Sequence, residues 1–138
     1  DRCDQIGLKP TAQFETEVRH IHEIKSGETV SYGRRWTAPH DTLLATLPVG
    51  YGDGMPRSWW EKGCVIINGQ RCPIRGVITM DQLMVEVGAK VAVGDKAILF
   101  GEQDGEVITA GEIAQATETI SYEILASVGK RVPRIYEN

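Results

Sequence analysis

The sequence predicts a mainly β domain, a barrel or a sandwich, with one or two short helices near the C-terminus. Several short apolar runs are rich in β-branched residues, and 15 glycines and six prolines interrupt them. Helical spacing of apolar residues appears only after residue 108. Short strands separated by turn residues are typical of barrels and sandwiches, and 138 residues suffice for one domain with a real core.

The first predicted strands lie at residues 14–24, 29–32 and 43–47, where apolar and β-branched residues precede Gly or Pro. Next comes a predicted hairpin, Cys64–Ile67 and Gln70–Ile74, around Asn68-Gly69, a dipeptide suited to a type I′ turn. Further strands are predicted at 77–79, 83–87, 96–100 and 107–108.

Two helices are predicted late in the chain. Residues 109–117 carry apolar side chains at helical spacing, with Thr109 as the N-cap and Glu112 three residues on, as in a capping box. Residues 121–127 form the second predicted helix. Nothing in the sequence predicts an internal repeat or a second domain.

Composition excludes several classes of partner. A net charge of −4 and a pI near 5.4 give no overall attraction to nucleic acid or to an anionic membrane. No apolar run approaches the roughly 20 residues of a membrane span, and no signal peptide is recognisable. We therefore expect a cytoplasmic protein. Because the chain starts at Asp1 and not at Met, we also expect it to be a piece of a longer protein.

Cysteines and histidines do not form a metal-binding pattern. Cys3, Cys64 and Cys72 lack ligand spacing; a disulfide between the last two is possible across the hairpin, but free thiols are favoured. His20 and His22 would share one face of a strand, as zinc ligands sometimes do, but no further ligand lies nearby in the sequence. We expect no metal site.

The segment Pro48–Arg57, PVGYGDGMPR, is a candidate functional site. Its glycines and prolines bend the backbone sharply and place Tyr51, Asp53 and Arg57 among them. Such segments commonly hold polar groups at a surface site, although an ordinary surface turn has similar chemistry.

Tyr32 and Tyr51 each lie next to glycine and are candidate acid–base residues. A phenol ordinarily has a pKa near 10, so a base of this kind needs a nearby cation, for which Arg34, Arg35 and Arg57 are candidates. The alternative is that each ring packs and its hydroxyl meets water or a carbonyl. Motifs such as GxGxxG and HExxH are absent, so the sequence holds no self-contained catalytic set.

Nine motifs, in order, resemble those of the C-terminal domain of alanine racemases, and they cover nearly all of residues 8–136. They are Leu8-Lys9-Pro10, Ser31-Tyr32-Gly33, Pro48–Gly54 with Pro56-Arg57, Asn68–Arg71 with Pro73-Ile74, Met80-Asp81-Gln82, Gly94-Asp95, Leu99-Phe100-Gly101, Thr119–Ile124 and Arg131–Arg134. Each motif alone is weak, but nine in the right order are specific.

The resemblance implies a bacterial cytoplasmic isomerase that interconverts L- and D-alanine for peptidoglycan of the cell wall. In that family a (β/α)8 barrel binds pyridoxal 5'-phosphate covalently through a lysine, and two subunits pack head to tail. Residues 1–10 would then be a lead-in from a missing N-terminal barrel, and residues 11–138 the C-terminal β domain. Because the chain lacks that lysine-bearing barrel, we expect it to be inactive alone.

The resemblance also assigns roles to individual residues. Tyr32 matches the tyrosine base that acts on the partner subunit's cofactor. Met80 matches the position whose backbone contacts the substrate carboxylate, and Tyr51 and Arg57 match residues of the substrate entryway. Tyr122 matches a tyrosine near the cofactor phosphate. No metal is implied.

One position departs from the family pattern. Val77 stands where the family commonly has arginine, and Arg75, on the same face if this segment is a strand, would substitute for it in part. Substrate preference is therefore open, and a serine racemase is one alternative. The other alternative is a non-catalytic β-barrel module for binding or oligomerisation. For Asp81 only a structural role is expected.

Overall fold

The computed structural model describes Gly7 and residues 9–137, and its architecture is mainly β with two short helices, which confirms the predicted fold class. The strands are β1 Phe14–Glu17, β2 His20–Ile24, β3 Thr29–Val30, β4 Trp36–Thr37, β5 Thr42–Leu47, β6 Cys64–Ile67, β7 Gln70–Pro73, β8 Leu83–Glu86, β9 Lys96–Gln103 and β10 Glu106–Ile108. Single turns of 3-10 helix lie at Tyr32–Arg34 and Tyr51–Asp53, a longer one at Arg57–Glu61, and the α-helices are α1 Ala110–Ala116 and α2 Ser121–Ser127. Cys3 and Leu8, the first residue of the motif Leu8-Lys9-Pro10, lie outside the described residues, as does most of the 1–10 lead-in.

The strands form two antiparallel sheets and one small ribbon. In the larger sheet the order is β1-β9-β6-β7, with β10 also paired to β9. The second sheet has the order β2-β5-β8, and β3 pairs with β4. Side chains from the two sheets and both helices fill one main core, whose fully buried members include Leu47, Trp59, Ile66, Ile98 and Ile113.

The single strand predicted at residues 14–24 is wrong, because the chain changes sheets within it. β1 pairs with β9 and β2 with β5. Between them Val18 is fully buried, and its N–H donates to the carbonyl of Asp95 at 2.9 Å. The N–H of Arg19 then donates to Thr46 O at 3.0 Å, which joins the chain to the second sheet.

Two further strand predictions need correction. The strand predicted at 29–32 ends at Val30, and Tyr32 begins a 3-10 turn. Residues 77–79 lie outside every sheet: Val77 and Ile78 are buried, and Thr79 opens a tight turn in which its N–H donates to Gln82 O at 2.9 Å. Their apolar character reflects burial rather than strand pairing.

The predicted hairpin and the first helix cap are confirmed. Asn68 and Gly69 have φ values of 52° and 73°, as a type I′ turn requires. Thr109 Oγ1 accepts the N–H of Glu112 at 3.0 Å, so it caps α1. The carboxylate of Glu112 turns instead to Arg71 on β7 (Nη2 to Oε2 3.2 Å), which ties the hairpin to α1.

Cys64 and Cys72 are free thiols on neighbouring strands, and burial raises the pKa of both. For Cys72, 6% exposed, burial raises the pKa to about 11 from an ordinary value of 9.0. The unfolded state therefore ionises first, and the folded state loses relative stability as the pH rises from about 9 to about 11.

We expect urea unfolding to show that the free energy of unfolding of wild type falls between pH 8 and pH 11, by up to about 2–3 kcal/mol. The Cys72→Ala variant should lose less over the same range, because it has no thiol at this position to ionise. If the free energies of unfolding of wild type and Cys72→Ala fell equally with pH, the raised pKa of Cys72 would be contradicted.

Candidate functional site

A cleft of about 450 Å³ contains four of the predicted site residues. It opens where three loops meet: the first around Ser31 and Tyr32, the second at Pro48–Arg57 and the third at residues 76–82. Tyr32, Tyr51, Arg57 and Met80 all line it, together with Val77, Ile78, Thr79 and Asp81. The structure thus brings together residues that lie up to 48 positions apart in the sequence, from Tyr32 to Met80.

The first loop holds Tyr32 through an unusual backbone at Ser31. Ser31 has φ 65° and ψ −178°, a region occupied almost only by glycine, so its conformation costs about 1–3 kcal/mol. The Ser31 hydroxyl donates to Val77 O at 2.7 Å and fixes the turn against the third loop. Gly76 permits this approach, since a Cβ there would lie 2.8 Å from Ser31 Cβ. As a result the Tyr32 side chain is directed outward and is 77% exposed.

The glycine-rich second loop lies directly on the third. Tyr51 N–H donates to Thr79 O at 3.0 Å, and Gly52 N–H donates to Met80 O at 2.9 Å. A Cβ on Gly50 would lie 2.0 Å from Thr79 O, so only glycine fits. The segment Pro48–Arg57 is therefore a loop whose glycines allow its backbone to contact the backbone of Thr79 and Met80.

Arg131 joins the same two loops through their carboxylates. Its Nε donates to Asp53 Oδ1 at 2.7 Å, and its Nη2 donates to Asp81 Oδ1 at 2.8 Å. Hydrogen bonds to Asp53 and then Asp81 raise the pKa of Arg131 above its ordinary value. The other oxygen of Asp53 accepts Gly50 N–H at 2.9 Å. Arg131 belongs to the last of the nine motifs, but the sequence alone assigns it no role at this site.

The cleft offers donors to an anionic group. Among the described residues Met80 N–H has no hydrogen-bond acceptor, and the hydroxyls of Tyr32 and Tyr51 have no partner. Arg57 lines the cleft, whereas Arg34 and Arg35 do not. One free backbone donor, two phenols and one cation can hold a carboxylate and move a proton beside it.

Tyr122 lies apart from this group. It is in the first turn of α2, its side chain is 77% exposed, and it lines neither the cleft nor the second cavity. That second cavity, also about 450 Å³, lies beside the cleft and shares Tyr51 and Arg57 with it. The structure of this chain therefore does not bring Tyr122 to Tyr32.

Arg75 does not replace the arginine expected at position 77. Its Nε donates to Glu86 Oε2 at 2.8 Å, and its guanidinium lies 5.2 Å from the centre of the Trp36 ring. Because residues 77–79 form no strand, the expected shared face does not exist, and Val77 gives the cleft an apolar wall.

The part of the chain that the structure describes contains no cluster of metal-binding side chains and no helix that could span a membrane. No three His, Cys, Asp or Glu side chains are grouped so as to hold a metal ion there. His20 and His22 do share one face of β2, where their rings stack at 5.4 Å. No helix in residues 9–137 is long and apolar enough to cross a membrane.

Comparison with known proteins identifies the family. The profile "Alanine racemase, C-terminal domain" matches residues 11–136. An alanine racemase of Clostridium novyi is 47% identical over 96% of this chain and 35% of its own length, and one of Desulfosudis oleivorans is 45% identical over 97% and 35%. The solved Streptomyces coelicolor alanine racemase matches with a TM-score of 0.92 and 38% identity, over 98% of this chain and 36% of that one.

The chain spans about a third of the length of these relatives, as the covered fraction of 35% shows. The match runs over nearly the whole chain in sequence and in fold, so the resemblance of the nine motifs is confirmed. The chain belongs to the alanine racemase family, and it is a C-terminal domain of that family.

Proposed function

We propose that this chain supplies the tyrosine base and part of the substrate entryway to a pyridoxal-phosphate-dependent alanine racemase. The observation that carries this proposal is the convergence of Tyr32, Arg57 and Met80 on one cleft, where the N–H of Met80 has no acceptor among the described residues. Residues 1–10 would lead in from an N-terminal barrel, and residues 11–138 would form the C-terminal domain.

The residues of the cleft fit a cofactor held mainly by another domain. The lining residues include no lysine, so covalent attachment of pyridoxal phosphate falls to the barrel. The exposed hydroxyl of Tyr122 would contribute a hydrogen bond at the phosphate. When bound, the cofactor makes the α-hydrogen of the amino acid acidic enough to be removed.

Tyr32 would accept the α-proton on one face of the amino acid with its phenol oxygen, and the lysine of the barrel would return a proton on the opposite face. In the reverse reaction the hydroxyl of Tyr32 would be the donor. Met80 N–H would hold the substrate carboxylate, which fixes the α-carbon relative to Tyr32. Tyr51 and Arg57 would line the way in and restrict it to a small amino acid.

The site would be completed by a second subunit in a head-to-tail homodimer. Tyr32 is 77% exposed and Met80 51% exposed, so both are open to another protein surface. The substrate would be alanine, in keeping with a solved Bacillus anthracis alanine racemase that holds bound L-Ala-P and is 37% identical to this chain. The setting would be the bacterial cytoplasm, with D-alanine for peptidoglycan as the product.

The direct test is an assay of the full-length protein that contains this chain, loaded with pyridoxal phosphate. We expect L- and D-alanine to interconvert, with kcat/KM for alanine above that for serine. The reverse preference would make it a serine racemase. Absence of turnover with either amino acid, with the cofactor bound, would favour the non-catalytic module. The 138-residue chain alone, assayed in parallel, should be inactive.

A further inference from the structure

Arg131 bridges two loops that carry different parts of the cleft. Its Nε reaches Asp53 in the loop of Tyr51 at 2.7 Å, and its Nη2 reaches Asp81, next to Met80, at 2.8 Å. The same Nη2 lies 3.4 Å from Met80 O. A single guanidinium therefore contacts both loops within hydrogen-bond distance.

The segment that carries Arg131 is itself well anchored. Gly129 N–H donates to Asp53 O at 3.1 Å, so the backbone as well as the side chain meets the second loop. The guanidinium of Arg134 donates to the carbonyls of Val128 and Gly129 at 2.7 and 2.6 Å. The backbone next to Arg131 is thus held by hydrogen bonds other than those of the Arg131 side chain.

Without Arg131 two carboxylates would lack a compensating cation, one in the cleft and one in the loop beside it. Asp81 lines the cleft beside Met80. The N–H of Met80, which has no acceptor among the described residues, is the backbone donor of the cleft. Asp53 lies in the adjoining loop, with its side chain only 15% exposed. Both negative charges would repel a carboxylate at Met80, and Arg57 is the only cation among the residues that line the cleft.

We propose that Arg131 is a positioning residue that clamps the Tyr51 and Met80 loops together and neutralises Asp53 and Asp81, so that the cleft accepts an amino-acid carboxylate. This inference rests on the proposed racemase function for the identity of the substrate. The clamp and the charge compensation are properties of this chain's own residues.

The test compares full-length wild type with the Arg131→Gln variant, the Arg131→Gln/Asp81→Asn double variant and the Arg19→Gln control. Arg19 is an exposed arginine whose nearest carboxylate, on Glu17, is 4.0 Å away, so its loss should leave catalysis unchanged. For Arg131→Gln we expect KM for L-alanine to rise about tenfold, with kcat within about twofold of wild type.

Two readouts distinguish the loss of charge compensation from a loosening of the Tyr51 and Met80 loops. The increase in KM should shrink as ionic strength rises from about 0.05 to about 0.5 M, because salt screens the exposed carboxylate of Asp81. Adding Asp81→Asn should restore most of the affinity. A rise in KM that neither salt nor Asp81→Asn relieves, or a fall in kcat alone, would overturn the proposal.

A binding measurement distinguishes this inference from the proposed function. L-lactate has the carboxylate of alanine without its amino group, and its binding can be followed through the amide resonance of Met80. Weaker binding to Arg131→Gln than to wild type supports the inference even if the wild type racemises nothing. Equal binding overturns it, whatever the activity.

Discussion

Replacing Tyr32 with phenylalanine in the full-length protein is expected to lower kcat for alanine racemisation by about 10²–10⁴-fold, the usual contribution of a general acid–base group. Phenylalanine keeps the ring that lines the cleft and removes only the hydroxyl, which has no partner among the described residues. The free energy of unfolding should therefore change little.

A second readout tests the chemical role of that hydroxyl. If a different base serves the other face, Tyr32→Phe should still exchange the α-hydrogen of one enantiomer with D2O while losing exchange from the other. Tyr136→Phe is the matched control, because Tyr136 is 92% exposed and lines neither cavity. Racemisation of both enantiomers at the wild-type rate by Tyr32→Phe would exclude it as the base.

The second large effect is expected from alanine at Gly50. The added Cβ would lie 2.0 Å from Thr79 O and 2.6 Å from Met80 O, and both neighbours are backbone atoms that cannot rotate away. The Tyr51 and Met80 loops must separate, which breaks the bonds from Tyr51 N–H and Gly52 N–H. We expect urea unfolding to show that the free energy of unfolding is about 1–3 kcal/mol lower than that of wild type.

Gly88→Ala is the control for this substitution. A Cβ at Gly88 meets nothing within 4 Å, and its backbone lies outside the left-handed region. The control should therefore match wild type or exceed it slightly, because alanine restricts the unfolded chain more than glycine does. If Gly50→Ala were as stable as Gly88→Ala, the close contact of the two loops would be disproved.

Local patterns predicted the elements that depend on neighbours in sequence. The hairpin at Asn68-Gly69 follows from the φ values that this dipeptide allows, and the N-cap at Thr109 from a hydroxyl that reaches an N–H three residues on. Strand partners are set by distant residues instead. The change of sheet at Val18 depends on a hydrogen bond to Asp95, 77 positions away, and no local pattern signals it.

The same distinction holds at the site. The glycine-rich segments of the sequence indicated Tyr32, Tyr51 and Arg57, and the family resemblance added Met80. All four residues line one cleft. Arg131 had no such signal, because Asp53 and Asp81 lie 78 and 50 positions before it. Its role depends on a salt bridge that only folding creates.

The central claim, that Tyr32 serves the active site of the other subunit, is best tested with mixed dimers. One subunit would carry Tyr32→Phe, and the other an alanine at the cofactor-binding lysine of its barrel. Each homodimer should be inactive. After denaturation and joint refolding, a mixed dimer of head-to-tail subunits recovers one intact site, so a random mixture should regain about a quarter of wild-type activity. If each site were built within one chain, both sites of the mixed dimer would be defective, and the mixture would remain inactive.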